Sequence, residues 1–173
     1  AGCNGDVFLP YLTGGFGDIK AASGCFLNMT LDDDRFVQWR AVLEAIGYDY
    51  MEITDTYRAA GVDLSRITVT EGGSRDSLWN QIKADMLAAD VVRFRTAGGA
   101  VVTNCVFAAK AAGDVEDVTQ ALSQTFVKDA QYQPNEANSR LYRKLFNLKT
   151  KLVKDDMKAA FDTLAAMRPE KIR

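Results

Sequence analysis

Histidine is absent from the 173-residue chain. That excludes Ser-His and Cys-His nucleophile pairs and every imidazole metal site. Proton transfer would fall to a carboxylate, a lysine, a tyrosine or water. Cysteine is scarce. Cys3, Cys25 and Cys105 are odd in number and widely spaced, which fits neither a disulfide framework nor a zinc knuckle. They read as buried, reduced thiols of a cytoplasmic protein. Net charge is only −2, so no global positive field draws a polyanion, and no nucleic-acid partner is expected. No apolar run approaches the roughly 18 residues that a membrane span needs. The first residues lack a basic stretch followed by an apolar one, so neither a membrane partner nor a leader is expected.

What is present suits a single domain over residues 1–173. Residues 6–12 read as a strand in which Pro10 marks an edge or bulge. Residues 24–31 read as a second strand. The loop between them holds Gly14, Gly15 and Gly17, which suggests an antiparallel pair. Asp32, Asp33 and Asp34 precede a long helical pattern through Val37, Ala41, Ile46, Tyr50, Ile53 and Tyr57 that Gly61 ends. Residues 66–70 predict a strand and 71–75 a turn. Residues 76–88 predict a helix with Leu78, Trp79, Ile82 and Met86 facing inward. A strand over 90–94, a helix over 96–112 and a short helix over 116–124 follow. The alternation implies a parallel portion joined by crossover helices, within a mixed sheet.

The last stretch, 135–167, predicts one long terminal helix. Leu141, Leu145, Leu148 and Leu152 fall on a common face. Seven Lys/Arg against two acids lie between Arg140 and Lys158, which reads as a solvated basic face on a docked helix.

The stretch most able to carry chemistry is 67–85, a strand, a Gly-Gly turn and a helix start. Two glycines permit positive φ and let a ligand approach the backbone unhindered by Cβ. The helix that follows offers unpaired N–H groups and a positive dipole end. Ser74, Asp76 and Ser77 can cap that helix or bond a ligand, and Asp76 is the natural N-cap. Such turns also occur for packing alone, so the pattern by itself leaves both readings open. It is neither a P-loop nor a dinucleotide fingerprint.

The order of motifs resembles the C-terminal domain of the FGGY carbohydrate kinases, and among them the xylulokinases. The residues that carry the resemblance are Phe8-Leu9-Pro10-Tyr11-Leu12-Thr13-Gly14, Gly24-Cys25-Phe26, Arg40-Ala41-Val42-Leu43-Glu44, Gly72-Gly73-Ser74-Arg75, Leu78-Trp79-Asn80-Gln81 and Ala84-Asp85. They keep the family's order over roughly residues 5–145. The resemblance implies an α/β fold of the actin-like ATPase (RNase-H-like) class, a mixed sheet with helices on both faces. It implies ATP-dependent phosphorylation of a sugar or polyol hydroxyl, with a pentulose such as xylulose as acceptor and Mg²⁺ bridging the phosphates. Gly72, Gly73 and Ser74 would lie against the nucleotide, with Ser77 as a polar contact. The family's catalytic Asp belongs to a Gly-rich segment that this sequence does not contain. No catalytic residue and no metal ligand is therefore assigned here, and the chain alone is expected to be inactive. Its partners would be its own N-terminal domain and the sugar, and apolar cleft-facing surface would favour a homodimer.

The sequence departs from the family pattern at several places. Gly15-Phe16-Gly17-Asp18 stands where Glu-Arg-x-Pro is usual, and Asn28 stands for a glycine. Glu71 opens the glycine motif, and Gly98 and Thr103 replace a usual Glu and Gly. An alternative reading follows from these departures: a catalytically silent actin-like module that senses nucleotide or binds a partner.

Overall fold

The computed structural model describes residues 1–70, 72–95 and 99–168. Two compact units emerge. One joins Ala1–Thr56 to the segment from Ala137 onward; the other is Tyr57–Glu136.

In the first unit, β1 (Val7–Leu9) pairs antiparallel with β2 (Cys25–Leu27), as the glycine-bearing loop predicts. Both strands are shorter than expected, because Pro10 has no N–H to continue the ladder. Phe8 and Phe26 face each other across the pair, ring centroids 4.5 Å apart. Asn28 takes φ 69°, the left-handed conformation for which a glycine is usual and which asparagine tolerates.

Helix α1 (Arg35–Ala59) starts where Asp34 Oδ1 accepts the N–H groups of Phe36 and Val37, at 2.8 and 3.0 Å. It ends at Gly61, φ 84°, with Val62 N–H returning to the Tyr57 carbonyl. Its buried stripe keeps Ala41 of the expected pattern and otherwise differs from it. Ala41, Glu44, Ala45, Gly47, Tyr48 and Met51 are buried, while Ile46, Tyr50, Ile53 and Tyr57 are exposed. Small residues allow close approach, and a charged residue goes inside because its partners wait there. Glu44 Oε1 accepts from Tyr142 Oη at 2.7 Å, Arg40 Nε at 2.9 Å and the Gly2 N–H at 3.1 Å.

The terminal segment is interrupted. Helix α5 (Glu136–Lys151) passes into a π-helical turn over Leu152–Asp156, and α6 (Lys158–Ala166) follows. The deepest side chains of α5 are Tyr142 and Lys149, while Leu141 and Leu148 stay partly exposed. The expected leucine face is thus rotated by about one residue. The wide turn closes on Met157 N–H to Leu152 C=O, 2.8 Å. It absorbs one residue, so Val153 and Phe161 share a face as if seven helical steps apart rather than eight. With about 100° per residue, an unbroken α-helix would separate them by about 80°. Both join Val7, Leu9 and Ala22 in one apolar core.

In the second unit, β3 (Arg66–Val69) pairs parallel with β4 (Asp90–Phe94) across α2 (Ser77–Leu87). Helices α3 (Gly99–Ala112) and α4 (Val118–Thr125) lead to β5 (Lys128–Tyr132), antiparallel to β4. The sheet β3-β4-β5 is mixed, as expected, but through β5, which the sequence pattern does not announce. In α2, Trp79, Ile82 and Met86 are buried as predicted, and Leu78 is exposed. α3 is apolar, yet none of its residues is buried. No helix among the described residues is long and apolar enough to cross a membrane.

The thiols split. Cys3 is buried and pushed up to about 12, by burial first and then by the Glu44 charge. Cys25 is half-buried, and Cys105 is exposed, against the expectation of three buried thiols.

Candidate functional site

β3 ends in a helical turn, Gly72–Ser74, which leads through Arg75 into α2. Asp76 caps α2: its Oδ1 accepts the Trp79 N–H at 2.8 Å. The turn is tied down through its carbonyls. Asn80 Nδ2 donates to Ser74 C=O at 2.6 Å. Arg93 Nη1 lies 3.4 Å from the same oxygen and 3.3 Å from Arg75 C=O. The parallel register sets Arg93 beside Val69, at the end of β3, so its guanidinium meets the turn as it leaves the sheet. An ion pair with Asp129 on β5 steadies that guanidinium.

Gly72, Gly73 and Ser74 therefore stand together on one turn, and Ser77 opens α2. Gly72, Gly73 and Ser77 are exposed, and Ser74 is buried. Neither Gly72 nor Gly73 has positive φ, so the conformational reason for a double glycine does not operate here. Packing supplies no reason either. Among the described residues, a Cβ on Gly72 would meet nothing within 4 Å, and one on Gly73 only Trp79 Nε1 at 3.9 Å. What remains is an open backbone surface.

The Asp76 carboxylate occupies the cap, as expected, so the helix start is less electropositive than an uncapped one. A phosphate placed there would face that negative charge, whereas a neutral ring would not. The arrangement suits a flat, uncharged group over the glycines better than an anion at the helix end.

Gln81 and Asp85 hold structure. Gln81 Nε2 reaches Asp85 Oδ1 and the Gln133 carbonyl, both at 2.8 Å, and Asp85 Oδ1 also accepts the Asn135 N–H at 2.9 Å. They fasten α2 to the chain leaving β5. Trp79 is buried, as a core residue should be. Sequence reasoning named Asn80 only as part of a motif and did not single out Arg93 or Lys83. Lys83 is buried with Nζ 4.7 Å from the Trp79 ring centre and 3.4 Å from Asn80 Oδ1. Burial holds its ammonium below the usual lysine range, against the Asp76 charge. The helical period places Asn80 and Lys83 on one face, but only the fold shows that face to be the inner one. Glu71 and Gly98 lie outside the described residues; Thr103 lies on α3, half-buried.

The strand, the glycine turn lacking any Walker lysine, and the carboxylate-capped helix belong to a unit of mixed α/β type. The sequence profile of the FGGY family of carbohydrate kinases, C-terminal domain, matches residues 1–112, and the chain belongs to that family. It is 32% identical over 155 residues to the xylulose kinase of Escherichia coli K12, covering 82% of this chain and 32% of that protein. It is 26% identical over 166 residues to the xylulose kinase of Staphylococcus epidermidis RP62A, covering 94% of this chain and 33% of that one. The crystal structure of xylulose kinase from Rhodospirillum rubrum superposes with a TM-score of 0.76 at 27% identity, over 94% of this chain and 32% of that chain. The actin-like ATPase fold expected from the motifs is thereby found. The chain spans about a third of the length of these relatives.

Proposed function

We propose that this chain supplies the nucleotide-binding side of an ATP-dependent sugar kinase, with a pentulose as the acceptor. One observation carries the nucleotide assignment. Gly72 and Gly73 are exposed glycines that neither the backbone conformation nor the internal packing requires. A ligand lying against the backbone would require them. The base and ribose of ATP would rest on this surface, with Ser77 at its edge and Ser74 fixing the turn from beneath. Keeping the phosphates clear of Asp76 would direct them away from the start of α2. Mg²⁺ would enter with the phosphates. Bound nucleotide supplies the phosphoryl group; this chain's part is to hold and orient it.

The acceptor reading is supported by the named relatives, which are xylulose kinases. Phosphoryl transfer depends on positioning and charge stabilisation from both sides of a closed cleft. The base that accepts the sugar's proton is expected in the chain's own N-terminal domain, so the 1–173 domain acts as one half of an enzyme.

The test has two arms. Titration of the 173-residue chain with ADP should raise its melting temperature in step with ln(1 + c/Kd) at free ADP concentration c, by about 2.7 kcal/mol of apparent stability at a hundredfold excess over Kd. A sugar panel assayed with the longer chain should then show turnover of a pentulose. ADP binding without turnover of any polyol would point to the catalytically silent module instead, and no ADP binding would remove the nucleotide assignment.

A further inference from the structure

A cleft of about 860 Å³ opens in the unit that joins the two ends of the chain. Its walls are the loop after β1, the middle of α1 and the π-helical turn. The volume lies within the range of small-molecule sites, about 300–1,000 Å³. The π-turn is an independent marker, since such turns in α-helices gather at functional sites. It sets Lys154 and Asp155 at the rim.

The lining is acidic and aromatic. Asp18, Asp49, Glu52 and Asp155 face one lysine, Lys154. Asp49 is occupied by Lys149, whose Nζ stands 3.3 Å from it and 5.4 Å from the centre of the Tyr11 ring. Among the described residues, the carboxylates of Asp18, Glu52 and Asp155 make no hydrogen bond and no ion pair. Unpaired like charges around a concavity focus a negative potential into it. These acids do not converge: among the described residues no three acidic or thiol groups are close enough to hold a metal ion. Their charge is spread along the walls, which suits an extended cation rather than a point ion. Phe16, 89% exposed at the lip, offers a ring face to an ammonium group and an apolar surface to methylene stems.

We propose that this cleft binds a small linear organic polyamine, its ammonium groups set against Asp18, Glu52 and Asp155 and its methylenes against Phe16. The site is separate from the glycine turn and does not depend on the kinase reading.

Spermidine is the probe, titrated into the 173-residue chain by calorimetry, with MgCl₂ and NaCl at matched ionic strength as controls. Saturable one-to-one binding is expected with spermidine and not with either salt. The combined variant Asp18→Asn, Glu52→Gln and Asp155→Asn should weaken it about tenfold, the sum of three exposed ion pairs. Phe16→Ala should weaken it about threefold, and Asp114→Asn with Glu116→Gln, acids of the other unit, should leave it unchanged. The single reversal Glu52→Lys, at an exposed helix position, serves if the combined variant folds poorly, with about a fivefold loss expected. Binding equal to that of Mg²⁺, binding indifferent to Glu52→Lys, or no saturation at millimolar spermidine would each overturn the proposal.

Discussion

Gly72 and Gly73 offer a clean separation of stability from function. Alanine fits their backbone conformation and, among the described residues, meets no neighbour at under 3.9 Å. Replacing a glycine in a permissive conformation restricts the unfolded chain, so each substitution should be neutral or stabilise by up to about 1 kcal/mol. The same methyl groups would stand between nucleotide and backbone. Gly72→Ala with Gly73→Ala is thus expected to melt no lower than the parent while ADP affinity, read by calorimetry, falls tenfold or more. A lower melting temperature with unchanged affinity would contradict both halves of the argument. Asp6 gives a second test at this scale. It is 3% exposed, and its Oδ2 has no hydrogen-bond partner. Burial, and then the Asp33 charge, push its carboxyl above the ordinary carboxylate range. The folded state therefore keeps this proton to higher pH than the unfolded chain does. The associated stability is full below the unfolded value of about 3.9 and is lost as pH rises through the folded one. Asp6→Asn should accordingly raise stability at pH 7 by about 1 kcal/mol, a gain that disappears below about pH 4. Urea denaturation at the two pH values measures it.

The elements are joined by buried polar contacts as much as by apolar ones. Glu44 on α1 is reached from α5 by Tyr142, ninety-eight positions away in sequence, and from the chain start by Gly2. Glu44→Ala would leave Tyr142 Oη, the Gly2 N–H and part of Arg40 without an acceptor in a closed space, at a cost of about 3 kcal/mol. Tyr142→Phe should cost only about 1 kcal/mol, because Glu44 keeps its other donors. Urea midpoints at constant m-value distinguish the two. This contact also explains what the sequence could and could not reveal. The caps of α1 and α2, the Gly61 stop and the β3–β4 pairing are local matters, written in adjacent residues and read correctly. The buried faces of α1 and α5 are not local. Counting large apolar residues finds Ile46, Ile53, Leu141 and Leu148, which the fold leaves partly or largely exposed. It passes over Ala45 and Glu44, whose burial depends on partners half the chain away. β5 escaped for a related reason: Lys128 and Asp129 make an edge strand look like a loop, since edges tolerate charge. The glycine turn was legible as a motif. Its carbonyl ties from Asn80 and Arg93 were not, because Arg93 reaches it through strand register.

At the scale of the whole molecule, the chain spans about a third of the xylulose kinases it matches, and the proposed function gives it one side of a cleft. The 173-residue chain is expected to bind ADP yet release none from Mg-ATP and xylulose above the uncatalysed rate in a coupled assay. Turnover by this chain alone would contradict the division of labour proposed here. The π-turn over Leu152–Asp156 carries a different consequence. It behaves as a one-residue insertion that a helix has absorbed without unfolding. Deleting Lys154 would improve local helical regularity and look harmless in a sequence comparison. It would leave Val153 and Phe161 seven regular helical steps apart, which at about 100° per residue keeps both in the same core. The least regular turn of the terminal segment is therefore the one that sets its phase. A one-residue deletion there should therefore be tolerated better than a one-residue insertion, which would turn α6 through about 100°.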